Sequence, residues 1–143
     1  MKIGFQILHY SVVILIVNHH GSLGKLIGQV ALQGGWKVLI ADRLENMQAI
    51  FQNNRIDLVV CDATPEQEAV EKVSRLDFTQ SLRNLGIKVP VILFEDEGTE
   101  VALDPELAKE IGGIQIFRKP IHIHEIRNAM EQVKAEILKK KKG

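Results

Sequence analysis

The side chains in this chain with chemical potential recur at a fixed kind of place, directly after short apolar runs. Asn18, His19 and His20 follow residues 12–17 (VVILIV), Asp42 follows residues 37–41 (KVLIA), and Asp62 follows residues 58–61 (LVVC). Glu95 and Asp96 follow residues 91–94 (VILF), and Lys119-Pro120 come just after residues 114–117 (IQIF). Carboxylates and one ammonium group gathered at one edge can form a charge-balanced cluster, with Lys119 bridging to Asp62, to Glu95 or to both. The histidines suggest a second chemistry. His19 and His20 at one run's end and His122 and His124 beyond another, with Asp62 and Glu95 nearby, offer imidazole and carboxylate donors of the kind zinc, copper or nickel accept. Histidines in such loops are also commonly solvated, and Asp62 can equally cap a helix opened by Thr64, Pro65 and Glu66.

What positions these residues is an alternation of two periodicities. The runs are short, continuous and rich in β-branched residues, the pattern of strands buried on both faces of a parallel sheet, with residues 114–117 the weakest of the five. Between them apolar residues return at helical spacing: Leu23, Leu26, Ile27 and Val30; Leu44, Met47, Ile50 and Phe51; Val70, Val73, Leu82 and Leu85. A short helix is expected over residues 105–111 with Leu107 and Ile111 inward, and the clearest one carries Ile123, Ile126, Met130, Val133 and Ile137. Gly34-Gly35 and Gly112-Gly113 fall where helices must turn into strands. Five such units imply an open, doubly wound α/β sheet with helices on both faces, because right-handed crossovers place successive helices that way. Ligands of such a sheet bind beyond the carboxyl ends of its strands, where the residues above stand.

Composition narrows the function classes. A chain of 143 residues, 45% hydrophobic and 25% charged, suits one globular domain, and eighteen basic against eighteen acidic residues leave no net field to draw nucleic acid or an anionic membrane. Cys61 alone permits neither an internal disulfide nor a cysteine-based zinc site. Gln6, His9, Tyr10 and Ser11 interrupt the apolar start, and no secretory cleavage site follows, so the expectation is a cytoplasmic chain. Residues 1–11 stand outside the βα plan as an edge strand or a partner-binding arm, residues 12–138 form the domain, and residues 139–143 are a basic tail.

The segments VILIVNHH, DLVVCDATP, KVPVILFEDEG and GGIQIFRKPI, in this order and spacing, resemble the receiver domain of bacterial two-component response regulators over residues 12–138. The resemblance implies a flavodoxin-like five-stranded parallel sheet in the order 2-1-3-4-5. It also implies that Asp62 matches the phosphoacceptor and Lys119 the lysine that pairs with the phosphoryl group, followed by Pro120 across a cis peptide. A carboxylate attacks phosphorus only where positive charge neutralises the developing oxygens, a task shared in the family by that lysine and a magnesium ion.

Several positions depart from the family pattern. The two acidic residues that hold magnesium are matched by Asn18 and His19, and neither amide nor imidazole replaces a carboxylate as a hard anionic ligand. The hydroxyl residue after the fourth strand is matched by Glu95, whose charge repels a phosphoryl group, and the aromatic switch residue by Ile116; Pro65 stands one residue closer to the acceptor than usual. The chain therefore reads as a pseudo-receiver that is not an enzyme, needs no cofactor, and binds magnesium weakly or not at all. Its expected partner is a protein, a histidine kinase or a downstream signalling protein, with homodimerisation a possibility and neither nucleic acid nor membrane among the partners. The expected interaction face holds Ile116, Phe117, Arg118, His124, Arg127 and Asn128. Two alternatives stand beside this reading. One is a switchable receiver phosphorylated at Asp62. The other is a nucleotide- or NAD-binding domain, since Gly21-Ser22-Leu23-Gly24, Gly28 and Asp42 are similar to the first βαβ unit of Rossmann domains, although G-x-G-x-x-G is absent.

Overall fold

The computed structural model describes residues 11–17, 22–62, 75–95 and 105–142. Five strands, β1 (Val13–Val17), β2 (Lys37–Ala41), β3 (Leu58–Asp62), β4 (Val91–Glu95) and β5 (Ile114–Arg118), alternate with α1 (Ser22–Gln33), α2 (Met47–Asn53), α3 (Arg75–Asn84), α4 (Pro105–Ile111) and α5 (Ile123–Lys142). A 3-10 turn, Leu44–Asn46, leads into α2. The strands form one sheet in the order β2-β1-β3-β4-β5, parallel at every pairing, which is the flavodoxin-like order implied by the sequence.

Alternation along each strand supplies two cores, one on each face. Leu15, Val17, Val59, Cys61, Val91 and Leu93 pack with Met47, Phe78, Leu82 and Ile111 from α2, α3 and α4. On the other face Ile14, Ile16, Leu58, Val60, Ile92 and Phe94 pack with Ile27, Val30 and Ala31 of α1 and Ile126, Ala129, Met130 and Val133 of α5. Each such fully buried aliphatic side chain contributes about 1.5–3 kcal/mol. The side chain of Leu107, expected inward, lies outside the described residues, whereas Ile111 is buried as expected.

β1, β3 and β4 are buried throughout, but β2 is not: Lys37 and Ile40 are exposed and Val38 and Leu39 half-buried. The reading of β2 as a strand covered on both faces is corrected here, because β2 is an edge strand and its outer side has no described neighbour. β5, the other edge, is likewise only partly covered.

Two helix ends share one stop signal. After α1, Trp36 N–H reaches Ala31 O and Gly35 N–H reaches Leu32 O; after α3, Ile87 N–H reaches Leu82 O and Gly86 N–H reaches Arg83 O. This pairing requires a left-handed residue at the turn, supplied by Gly35 (φ 82°) and Gly86 (φ 67°), and each turn buries an apolar pair, Trp36 with Ala31 and Ile87 with Leu82. The last helix continues through the lysines at the chain end to Lys142, with Lys139 and Lys140 exposed on it. The arm expected in residues 1–11 lies outside the described residues except for Ser11. No helix among the described residues is long and apolar enough to cross a membrane.

Candidate functional site

Asp62 is the last residue of β3, and Lys119 follows β5 by one residue, with β4 between the two strands. The register aligns Asp62 with Phe94 and Phe94 with Phe117, so all three side chains leave the same face. Phe94 and Phe117 stack with ring centroids 5.7 Å apart. Lys119 stands two residues beyond Phe117 and donates from Nζ to Asp62 Oδ1 at 2.8 Å. Asp62 is 3% exposed and Lys119 24%, so the ion pair is largely out of water, where each unpaired charge would cost several kcal/mol.

The backbone fixes the lysine as well. Lys119 N–H donates to Glu95 O at 2.8 Å, which holds the start of the loop on β4, and the Lys119–Pro120 peptide is cis, as the resemblance implied. Glu95 is 1% exposed at the end of β4 and stands in register with Arg118, an opposite-charge cross-strand neighbour absent from the sequence reading. Next to Asp62, burial and the Asp62 carboxylate push the Cys61 thiol well above its ordinary value of 9.0. Cys61 is thus a neutral core residue, as its apolar setting suggested.

Asp62, Lys119, Pro120 and Glu95 therefore meet at one sheet edge. Asn18, His19 and His20 lie outside the described residues. His122 and His124 are exposed at the start of α5, their rings stacked 5.6 Å apart and nearly parallel, and Glu125 accepts the His122 backbone N–H as a helix cap. No group of three or more His, Cys, Asp or Glu side chains placed to hold a metal occurs among the described residues. Of the expected interaction face, Arg118, His124, Arg127 and Asn128 are exposed, while Ile116 and Phe117 are half-buried and packed against the two cores.

The glycines of the Rossmann alternative have another use. Gly24 and Gly28 are buried in α1 with Ile27 and Ala31, a stripe at i, i+3, i+4 and i+7 that packs against the sheet. Gly21 lies outside the described residues, and Asp42 is exposed just past β2.

No protein-family profile matches the chain, and no curated protein is detectably similar in sequence. Solved structures are similar. A response regulator receiver domain protein from Bacillus halodurans superposes with a TM-score of 0.66 at 16% identity, covering 87% of this chain and 97% of the other. A chemotaxis response regulator of Vibrio cholerae gives 0.63 at 17% identity, covering 87% and 99%. A response regulator receiver domain protein from Clostridium thermocellum gives 0.61 at 21% identity, covering 89% and 98%. The chain has the fold of response regulator receiver domains over nearly its whole length.

Proposed function

We propose that the chain is a receiver-like, non-enzymatic signalling module, cytoplasmic, whose output is protein-protein binding rather than an obligatory phosphorylation step. The observation that carries this reading is the Asp62–Lys119 ion pair, in which the residue matching the phosphoacceptor is buried and already neutralised by the residue matching the phosphate-binding lysine. Electrophilic phosphorus would have to approach past the buried Glu95, with Lys119 as the one matching cation and no second one supplied by the matching side chains. Magnesium does not fit the donor set at this edge. Its two family ligands correspond to an amide, Asn18, and an imidazole, His19, and the remaining carboxylate, Asp62, is held by Lys119. No cofactor is therefore assigned.

The partner face is formed by the exposed side chains of Arg118, His124, Arg127 and Asn128, with Ile116 and Phe117 as the half-buried apolar floor. A histidine kinase or a downstream signalling protein suits that face, and a second copy of the chain suits it equally.

The test is direct. With acetyl phosphate and magnesium, intact-mass spectrometry is expected to show no more than a trace of phosphorylated chain. A stoichiometric, hydroxylamine-labile adduct mapped to Asp62 would establish the switchable receiver instead.

A further inference from the structure

Ile56 precedes β3 and Val89 precedes β4, at the end of the sheet opposite to Asp62. There α2, the last turn of α3 and the segment leading into β4 surround a cavity of about 440 Å³ that is open to solvent. Small-molecule sites typically measure roughly 300–1,000 Å³. The floor of this one is apolar. Ile56 and Ile87 are buried in the core on that face of the sheet, and the half-buried Phe51 and Leu85 pack against it.

The mouth is polar and unengaged. Gln48, Gln52, Asn84 and Lys88 stand exposed around it, and none of their side chains has a partner among the described residues. Polar side chains just outside the cavity are engaged by contrast. Asn53 Nδ2 donates to Ala49 O at 2.8 Å, Asn54 Nδ2 donates to Ile50 O at 3.0 Å, and Arg83 pairs with Glu110 at 2.8 Å. Gly86, also at the mouth, has open space where a Cβ would stand.

Lys88 is the one charged residue in the lining, which contains no carboxylate. An ammonium group beside an apolar floor repels a cationic ligand and suits a single anion carried on an apolar body. Phe51 offers that body a ring to pack on, and the three amides offer donors for the lone pairs that one lysine leaves unused. A phosphate or nucleotide is commonly met by a helix N-terminus or by several cations. Neither occurs here, because α2 and α3 both reach the cavity with their carboxyl-terminal ends and Lys88 stands without a second cation in the lining.

We propose that this cavity binds a small aromatic carboxylate, with its ring on Phe51 and the aliphatic floor and its carboxylate on Lys88. The amides of Gln48, Gln52 and Asn84 supply the remaining hydrogen bonds. The site is separate from the Asp62–Lys119 pair and uses none of its residues.

The test is a titration of the full, nitrogen-labelled chain with phenylpropionate, followed by amide-resolved NMR. Saturable shifts are expected at the backbone of Gly86 and Ile87 and at the side-chain amides of Gln48, Gln52 and Asn84. Phenylpropionamide, which keeps the ring and loses the charge, is expected to bind at least about tenfold more weakly, as a charge-assisted hydrogen bond is lost. Octanoate, which keeps the charge and loses the ring, is expected to bind more weakly than phenylpropionate. Lys88→Gln should bring the affinity for phenylpropionate down to that for the amide and leave the affinity for the amide unchanged. Absence of saturable shifts, shifts centred away from these residues, or equal binding of the amide or of octanoate would overturn the proposal. So would an unchanged affinity in Lys88→Gln, whose own spectrum shows whether it is folded; the comparison of the three ligands on the unaltered chain decides the matter if it is not.

Discussion

Replacing Lys119 by Met keeps the length and the apolar stem of the side chain and removes only its charge, leaving Asp62 buried without its cation. Removing one partner of a fully buried pair costs about 3–5 kcal/mol. Lys119 is 24% exposed, so water reaches part of the site, and the expected loss is nearer ~2–3 kcal/mol. For a chain of this size that lowers the melting temperature by roughly 6–9 °C. Asp62→Asn in the same background removes the charge that Lys119 serves, so Lys119→Met should cost less there, with a coupling of about 1.5–2.5 kcal/mol. Urea unfolding of the four proteins, followed by the emission of the buried Trp36, gives the cycle. A coupling below about 0.5 kcal/mol, with unchanged m-values, would refute the locked pair and with it the support for a phosphorylation-independent module.

The combined change Asn18→Asp, His19→Asp and Glu95→Thr is expected to restore magnesium-dependent phosphorylation of Asp62, read by intact mass; a folded variant that neither binds magnesium nor gains phosphate would show that these positions do not match the acidic pocket. Asp57→Ala deprives the buried Val13 N–H of its acceptor at 2.9 Å and should cost about 1–3 kcal/mol in urea unfolding, whereas a loss within ~0.5 kcal/mol would make that bond incidental. Cys61 should resist a thiol reagent in the native protein at neutral pH and react once unfolded. Because its folded pKa is raised, the folded state keeps the proton that the unfolded state gives up above 9.0, so this group's contribution is fully present below that pH and declines as pH rises beyond it; Cys61→Ala should flatten that decline.

The strands were legible because parallel sheets bury whole runs: residues 12–17, 58–61 and 91–94 each carry an unbroken apolar signal, and their ends fix where Asp62 and Glu95 stand. The edge position of β2 was less visible, since KVLIA reads like the interior strands and only the sheet order shows that one side is uncovered. The Asp62–Lys119 pair could be anticipated from charge balance, because Lys119 follows one strand end while the carboxylates of Asp62 and Glu95 close two others. What escaped was spacing across strands: the Phe94–Phe117 stack and the register of Glu95 with Arg118 depend on which residues lie opposite one another.

The place of β1 in the sheet has a kinetic consequence. Val13–Val17 is synthesised before the other four described strands, yet it lies between β2 and β3, and its backbone groups are paired on both sides only when Leu58–Asp62 has been made. At the usual 5–20 residues per second the ribosome needs some seconds to cover that interval. Throughout it a β-branched, uncharged pentapeptide waits with at least one open edge, the type of segment that recruits identical strands from other chains. Slowing translation between β1 and β3 should therefore raise the insoluble fraction, whereas slowing it after Asp62 should not.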